Sequence, residues 1–324
     1  MAALSLSGRA VLVTGGAGFI GSHLVARLLA EGAARVVVVD SLRYGDLANL
    51  GASSERVELV RHELGSGARE ELDRALRGVD VVFHLAAEKH NQSRDAPERV
   101  VRANVEGTVT LLEACHAAGV RRIVYTSSLY AYGRMAGPPF VETELPAPRT
   151  VYGMSKLAGE HLLRWHAARS GCEWNVLRYL FVYGPRQFAG MGYKSVIVKT
   201  CERLLAGEAA VVHGDGEQTL DYVYVDDAVE ATLRAMTGER TGEVFNVGSG
   251  RGTRVVDLVA ELVRAVGGDA TYRFGAADWT AGSSRVGDVH KIAGALGWRA
   301  AVPLAEGLRR TLEWTRTQPP SPDS

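Results

Sequence analysis

Arg9-Ala10-Val11-Leu12-Val13-Thr14-Gly15-Gly16-Ala17-Gly18-Phe19-Ile20-Gly21 opens as an apolar run of strand length and closes on a glycine-spaced turn. Ser22-His23-Leu24-Val25-Ala26-Arg27-Leu28-Leu29 then reads as a helix. Glycines at 15, 18 and 21 let the backbone amides of a helix N-terminus close on a pyrophosphate, where a side chain would block the approach. A glycine-rich turn alone is a weak signal. A strand before it, a helix after it and a second strand over 35–39 that ends in Asp40 make it specific. An acid at that strand end accepts hydrogen bonds from both ribose hydroxyls and repels a 2′-phosphate, so NAD is expected rather than NADP. Arg43, three residues on, works against that preference.

Outward from this unit the alternation continues. Strands are expected over 57–61, 79–87, 122–126 and 175–179, and helices over 70–76, 100–118 and 152–170. That pattern predicts an α/β fold, a doubly wound parallel sheet of the Rossmann type, in a cofactor-binding domain over 1–180. Ala86 and Ala87 are small enough for a dinucleotide to lie against the strand end. Past Tyr183-Gly184-Pro185-Arg186 the pattern changes, with helices over 195–205, 226–236 and 255–266, strands over 210–213 and 244–247, and a turn at 214–217. A smaller C-terminal α/β substrate-binding lobe is expected over 181–317, its chain crossing back to the first domain and closing over the strand ends. The stretch 318–324 lacks apolar residues and is expected to be a disordered tail.

Of 324 residues, 46% are hydrophobic and 23% charged, with 37 basic residues against 37 acidic ones. A chain so balanced gives no reason to expect nucleic acid or an anionic membrane as a partner. Apolar runs such as 36–39 fall far short of a membrane span, and 1–9 lacks the basic-then-apolar pattern of a leader, so a cytoplasmic protein is expected. Cys115, Cys172 and Cys201 are widely spaced and odd in number, which predicts reduced thiols in the core or at the surface and no metal site.

Chemistry enters with Tyr152-Gly153-Met154-Ser155-Lys156, a tyrosine and a lysine four residues apart at the start of an expected helix. That spacing puts both side chains on one face. The chain has only five lysines and eleven tyrosines, so chance supplies roughly 0.2 such pairs. An ammonium beside a phenol favours the phenolate, which turns the tyrosine into a proton acceptor.

Taken with Tyr125-Thr126-Ser127-Ser128 and Tyr222-Val223-Tyr224-Val225-Asp226-Asp227, these motifs make the chain resemble the extended short-chain dehydrogenase/reductases, in their nucleotide-sugar epimerase/dehydratase branch. The likeness runs over about 9–314. It implies Tyr152 as catalytic base, Lys156 lowering its pKa and holding the nicotinamide ribose, and Ser128 bonding the reacting sugar oxygen, with Ser127 as the nearby alternative. It also implies an NAD cradle made by Gly15, Gly18, Phe19, Ile20 and Gly21, with Asp40 on the ribose and Glu63 and Leu64 flanking the adenine. Leu85, Ala86, Ala87, Lys89 and Tyr179 complete that cradle, and Asn104 either joins it or only ties backbone. Substrate would meet Lys89, Ser127, Ser128, Tyr130, Tyr152, Phe181, Arg186 and Arg285. A homodimer with a four-helix interface over 100–118 and 152–170 is implied too, although Leu111, Leu112, Leu162 and Trp165 suit a monomer core equally.

Positions 129 and 130 separate reaction types within that branch. A dehydratase resembling this chain would carry Asp-Glu there, because eliminating water needs both a base and an acid. Leu129 and Tyr130 stand there instead, so redox without elimination is expected. The leading expectation is an NAD-dependent sugar epimerase of the UDP-galactose 4-epimerase type, acting on a nucleotide-linked hexose through a transient ketone. The alternatives are an NAD-dependent dehydrogenase of a small alcohol without a nucleotide, similar to threonine dehydrogenases, and a non-catalytic NAD sensor.

Three departures from the resembled pattern bear on the substrate. Phe181 stands where an asparagine touches the sugar nucleotide, and Leu220 stands where an arginine grips the diphosphate. If Asp288 is the aspartate before the next helix, the second diphosphate arginine is replaced by Asp278. Arg285, Arg186 and Arg254 are the candidates to replace those cations.

Overall fold

Valine-rich runs bounded by turns become the strands of one parallel sheet. In the computed structural model, which describes residues 3–51, 55–187 and 194–318, the first six strands are β1 (Ala10–Thr14), β2 (Arg35–Asp40), β3 (Val57–Arg61), β4 (Val81–His84), β5 (Arg122–Ser128) and β6 (Glu173–Tyr179). Eight shorter or later strands follow: β7 (Phe181–Tyr183), β8 (Ala210–His213), β9 (Thr219–Leu220), β10 (Tyr222–Tyr224), β11 (Glu243–Val247), β12 (Thr253–Arg254), β13 (Tyr272–Gly275) and β14 (Ser284–Arg285). The main sheet runs β11-β6-β5-β4-β1-β2-β3, with every pair parallel. Strand order reverses about β1, and in such sheets the crevice at that point takes the ligand.

Period-two alternation explains why these strands are apolar throughout. Val11, Val13, Val36 and Val38 face one layer, which includes Leu24, Val25 and Leu28 of the helix Phe19–Ala30. Leu12, Val37 and Val39 face the other, with Leu72 of Arg69–Ala75, Leu111 and Leu112 of Gly107–Ala118 and Leu163 of Val151–Ser170. A sheet covered on both faces has no polar side.

Three elements differ from the sequence expectation. The strand expected over 79–87 pairs only as Val81–His84, because the Thr14 hydroxyl takes the amides of Leu85 and Ala86 at 3.1 Å each and turns that segment out of the ladder. The helix expected over 100–118 is divided into Pro97–Val101, a wider π turn at Arg102–Glu106 that contains Asn104, and Gly107–Ala118. The strand expected in the second lobe joins the first sheet as β11, its backbone bonded to β6.

The remaining short strands make small sheets, β7 with β10, β12-β9-β14, and β8 with β13. With the helices Val196–Leu205 and Val255–Val266 they form the lobe above the strand ends. All three cysteines are buried and free, so they are core thiols. Among the described residues no helix is long and apolar enough to cross a membrane. Of the expected tail 318–324, all but Gln318 lies outside the described residues.

Candidate active site

The helix Val151–Ser170 begins where the Thr150 hydroxyl accepts the Gly153 amide at 3.1 Å, and the Ser93 hydroxyl accepts the Tyr152 amide at 2.8 Å. A Cβ at position 153 would lie 2.4 Å from the Tyr130 carbonyl oxygen, so glycine lets the helix start against the turn Leu129–Ala131. Four-residue spacing then puts Tyr152, Lys156 and Glu160 on the face toward the end of β5. Glu160 is fully buried and accepts the Ser127 hydroxyl at 2.6 Å and the Arg178 guanidinium at 2.9 and 2.8 Å. Ser127 is thereby turned to a structural carboxylate. Ser128, whose oxygen accepts the Tyr130 amide at 3.3 Å, faces the Tyr152 phenol.

Burial pushes the Tyr152 phenol up to about 12, with the Ser128 hydroxyl pulling the other way. Burial also pushes the Lys156 ammonium down to about 7, against the attraction of Glu160. The Lys156 nitrogen lies 4.9 Å from the Tyr125 ring centre and 6.0 Å from that of Tyr152. This corrects the expectation that the lysine by itself poises the phenol. In the bare chain desolvation dominates both groups, leaving a protonated tyrosine at neutral pH.

A cleft of about 440 Å³ runs from the glycine turn to Tyr152. Of the residues expected to hold the cofactor, all but Asn104 line it. Asn104 lies behind the wall, its side chain accepting the Glu88 amide at 2.7 Å and donating to the Ser155 hydroxyl at 3.0 Å. It therefore ties the β4 loop to the catalytic helix. Gly15 has φ +73°, and a Cβ there would lie 2.9 Å from the Ala86 nitrogen, so only glycine fits between β1 and the Ala86 segment. Asp40 accepts the amides of Ala17 at 3.0 Å and Leu42 at 2.8 Å. Burial raises its pKa, and the amides of Leu42, Ala17 and Gly18 lower it.

A buried relay fixes the far wall. Thr108 donates to the Asn104 carbonyl at 2.7 Å, so its oxygen accepts from His84 Nε2 at 2.9 Å. His84 Nδ1 then accepts from the Thr14 hydroxyl at 2.7 Å. Burial pushes His84 down to about 3, keeping it neutral. Glycine turn, strand-end carboxylate and recessed alanines together fit a dinucleotide. Lys89, pushed down to about 8 by burial, stands in the same cleft, 4.2 Å above the Tyr44 ring.

Beyond Tyr130, Phe181, Val182 and Gln187 the cleft adjoins a lobe cavity of about 590 Å³, and these four residues line both. Arg285, Leu220 and Asp278 line the lobe cavity. Arg186 lines neither space, and Arg254 is exposed and paired with Glu217 at 3.0 Å and Asp257 at 2.6 Å. Sequence reading passed over His90 and Trp279. His90 stacks on Tyr130 with ring centres 3.9 Å apart, and on Trp279 at 5.9 Å. Its position next to Lys89 was the one available signal; nothing local marked Trp279.

A buried phenol, hydroxyl and ammonium at the end of a dinucleotide cleft define an enzyme that oxidises or reduces a carbon bearing a hydroxyl. The chain belongs to the NAD-dependent epimerase/dehydratase family, whose model matches residues 11–248, within the extended short-chain dehydrogenase/reductases, and its cofactor is NAD. It is 37% identical to a UDP-glucose 4-epimerase of Mycolicibacterium smegmatis, over 95% of this chain and 98% of that one. It is 35% identical to a dTDP-glucose 4,6-dehydratase of Streptomyces griseus, over 94% and 93%. The crystal structure of UDP-glucose 4-epimerase from Thermotoga maritima with UDP-glucose is similar at a TM-score of 0.87 and 38% identity, covering 95% of this chain and 98% of that one.

Proposed function

We propose that the protein is an NAD-dependent nucleotide-sugar epimerase that inverts C4 of a nucleotide-linked hexose through a ketone. The observation that carries this reading is the Tyr152, Ser128 and Lys156 constellation beside Leu129 and Tyr130. The phenol, hydroxyl and ammonium that can pass a proton to and from a sugar oxygen stand together, but positions 129 and 130 carry no Asp-Glu pair to expel water. NAD, when bound, supplies a hydride acceptor that can give the hydride back. Tyr152 takes the proton of the sugar hydroxyl and later returns it. Ser128 holds the oxygen between those events, and Lys156 bonds the nicotinamide ribose.

The test is purification with NAD retained, followed by interconversion of UDP-glucose and UDP-galactose, and of the corresponding dTDP sugars, read by proton NMR. Tyr152→Phe should lower the rate by about 10²–10⁴. Net NADH release with a small alcohol, and no interconversion, would replace this reading with the dehydrogenase. Leu220 and Asp278 on the lobe cavity favour that second reading. We also assign a cytoplasmic homodimer. Leu111 and Leu112 are core residues, whereas Trp165, half exposed on the catalytic helix, is left for the interface.

A further inference from the structure

His90 and Trp279 meet across the boundary between the two lobes. His90 follows β4 and lines the catalytic cleft, whereas Trp279 stands on the segment between β13 and β14 and lines the lobe cavity. Their rings lie 26° from parallel with centres 5.9 Å apart. Among the described residues the His90 imidazole is held by rings alone. Its Nε2 is buried without a partner, the Tyr130 ring stacks on it at 3.9 Å, and the Tyr152 ring meets it edge-on at 5.9 Å. A row of rings therefore runs from the catalytic phenol, through Tyr130 and His90, to an indole that belongs to the other lobe.

The segment that carries the indole is fixed. Asp278 accepts the Thr280 amide at 2.8 Å and hydroxyl at 2.5 Å, the Ser283 carbonyl accepts the Thr219 amide of β9 at 2.8 Å, and the Ser284 amide donates to the Met135 carbonyl at 2.7 Å. The Arg285 guanidinium carbon backs the indole, 5.5 Å from its ring centre. Trp279 is nevertheless 54% exposed. An indole on a fixed segment, set against the wall of the site and open over the rest of its surface, is placed to cover what binds at that wall.

What needs covering follows from the chemistry. When the C4–H bond of the sugar breaks, its hydride is lent to NAD and the hydroxyl proton goes to Tyr152. The ketone left behind accepts hydrogen bonds but has lost the hydroxyl donor it bound with. If it leaves, hydride and proton stay with the protein, no acceptor remains and the site stalls. We propose that Trp279 roofs the sugar site and keeps the transient ketone in place until its hydride returns. It acts through the His90 and Tyr130 rings, as a positioning residue. This rests on the nucleotide-sugar reading above and deepens it.

Turnover of UDP-glucose and dTDP-glucose by the NAD-loaded protein tests it, with stranded NADH read by its near-ultraviolet absorbance and free 4-ketose captured by hydroxylamine for mass spectrometry. Trp279→Ala should strand NADH about three- to tenfold more often per turnover than wild type, the size of one aromatic contact, with ketose appearing in equal amount. Trp279→Phe should restore most of the retention. His90→Ala should raise stranding too, and adding Trp279→Ala to it should change little, because the two rings make one contact. Retained NAD and an unshifted unfolding midpoint show that each variant is folded; if His90→Ala does not fold, the two Trp279 variants decide. Stranding in Trp279→Ala equal to that of wild type overturns the proposal alone. A raised KM without stranding would make the indole a wall of the nucleotide cavity and overturn it as well. Wild-type protein that neither interconverts these sugars nor forms any ketose overturns this proposal and the function reading together.

Discussion

Lys156 shows how one residue couples folding to pH. Its folded pKa is about 7 against an ordinary 10.5, because burial disfavours the ammonium. Between those values the unfolded chain holds a proton that the folded chain has lost, so stability of the NAD-free protein should rise with pH across about 7–10. Lys89 adds a slope of the same sign above about 8. Urea unfolding at several pH values should show a shallower slope in Lys156→Met; an unchanged slope would mean that the ammonium is solvated. At this scale the sequence was legible wherever chemistry is local. Tyr152 and Lys156 lie within one helical turn, and Gly15 to Gly21 within one strand-to-helix junction. What it did not disclose was the direction of the Tyr152 shift, since desolvation depends on what packs around the phenol and not on its neighbour four residues away. Ser127 stood as the alternative to Ser128 until Glu160 claimed it.

Elements were legible in proportion to their length. The long strands and the helix Val151–Ser170 matched their patterns within two residues, because hydrophobic periodicity needs several turns or pleats to show. β9 and β14 are two residues each and carry no periodicity, so the pairing of Leu220 with Arg285 could not be read. The π turn at Arg102–Glu106 was also invisible, because its residues continue the helical pattern on either side. The contact of the catalytic helix with β5 makes its own prediction. A Cβ at Gly159 would lie 2.2 Å from the Tyr125 hydroxyl, and Tyr125 is too buried to swing away. Helix propensity favours alanine by about 1 kcal/mol, whereas overpacking costs about 1–3 kcal/mol. Gly159→Ala should therefore destabilise by up to about 2 kcal/mol in denaturant titration, the opposite of its effect in an isolated helix.

At the scale of the molecule, the catalytic helix buries one face on the sheet and leaves Met154 53% and Trp165 50% exposed. Arg169 lies 4.3 Å over the Trp165 ring and shields part of it. If this face joins two copies, Trp165→Glu should convert a dimer to monomers in sedimentation velocity while NAD stays bound; a wild-type monomer at micromolar concentration would reject the interface. The membership of β11 was not foreseen, since a short apolar strand does not say which sheet it will join.

That membership has a consequence for how the protein is made. The edge of the cofactor sheet is completed by residues 243–247, which follow the first part of the lobe in the chain. A nascent chain that has delivered everything through β6 still presents a bare parallel edge and lacks the helix Val225–Thr237 that packs on β5 and β6. The NAD half lacks its last strand until residues 243–247 have emerged. Synthesis therefore passes through an interval in which an open edge is exposed to other chains, and that interval ends only when residue 247 emerges.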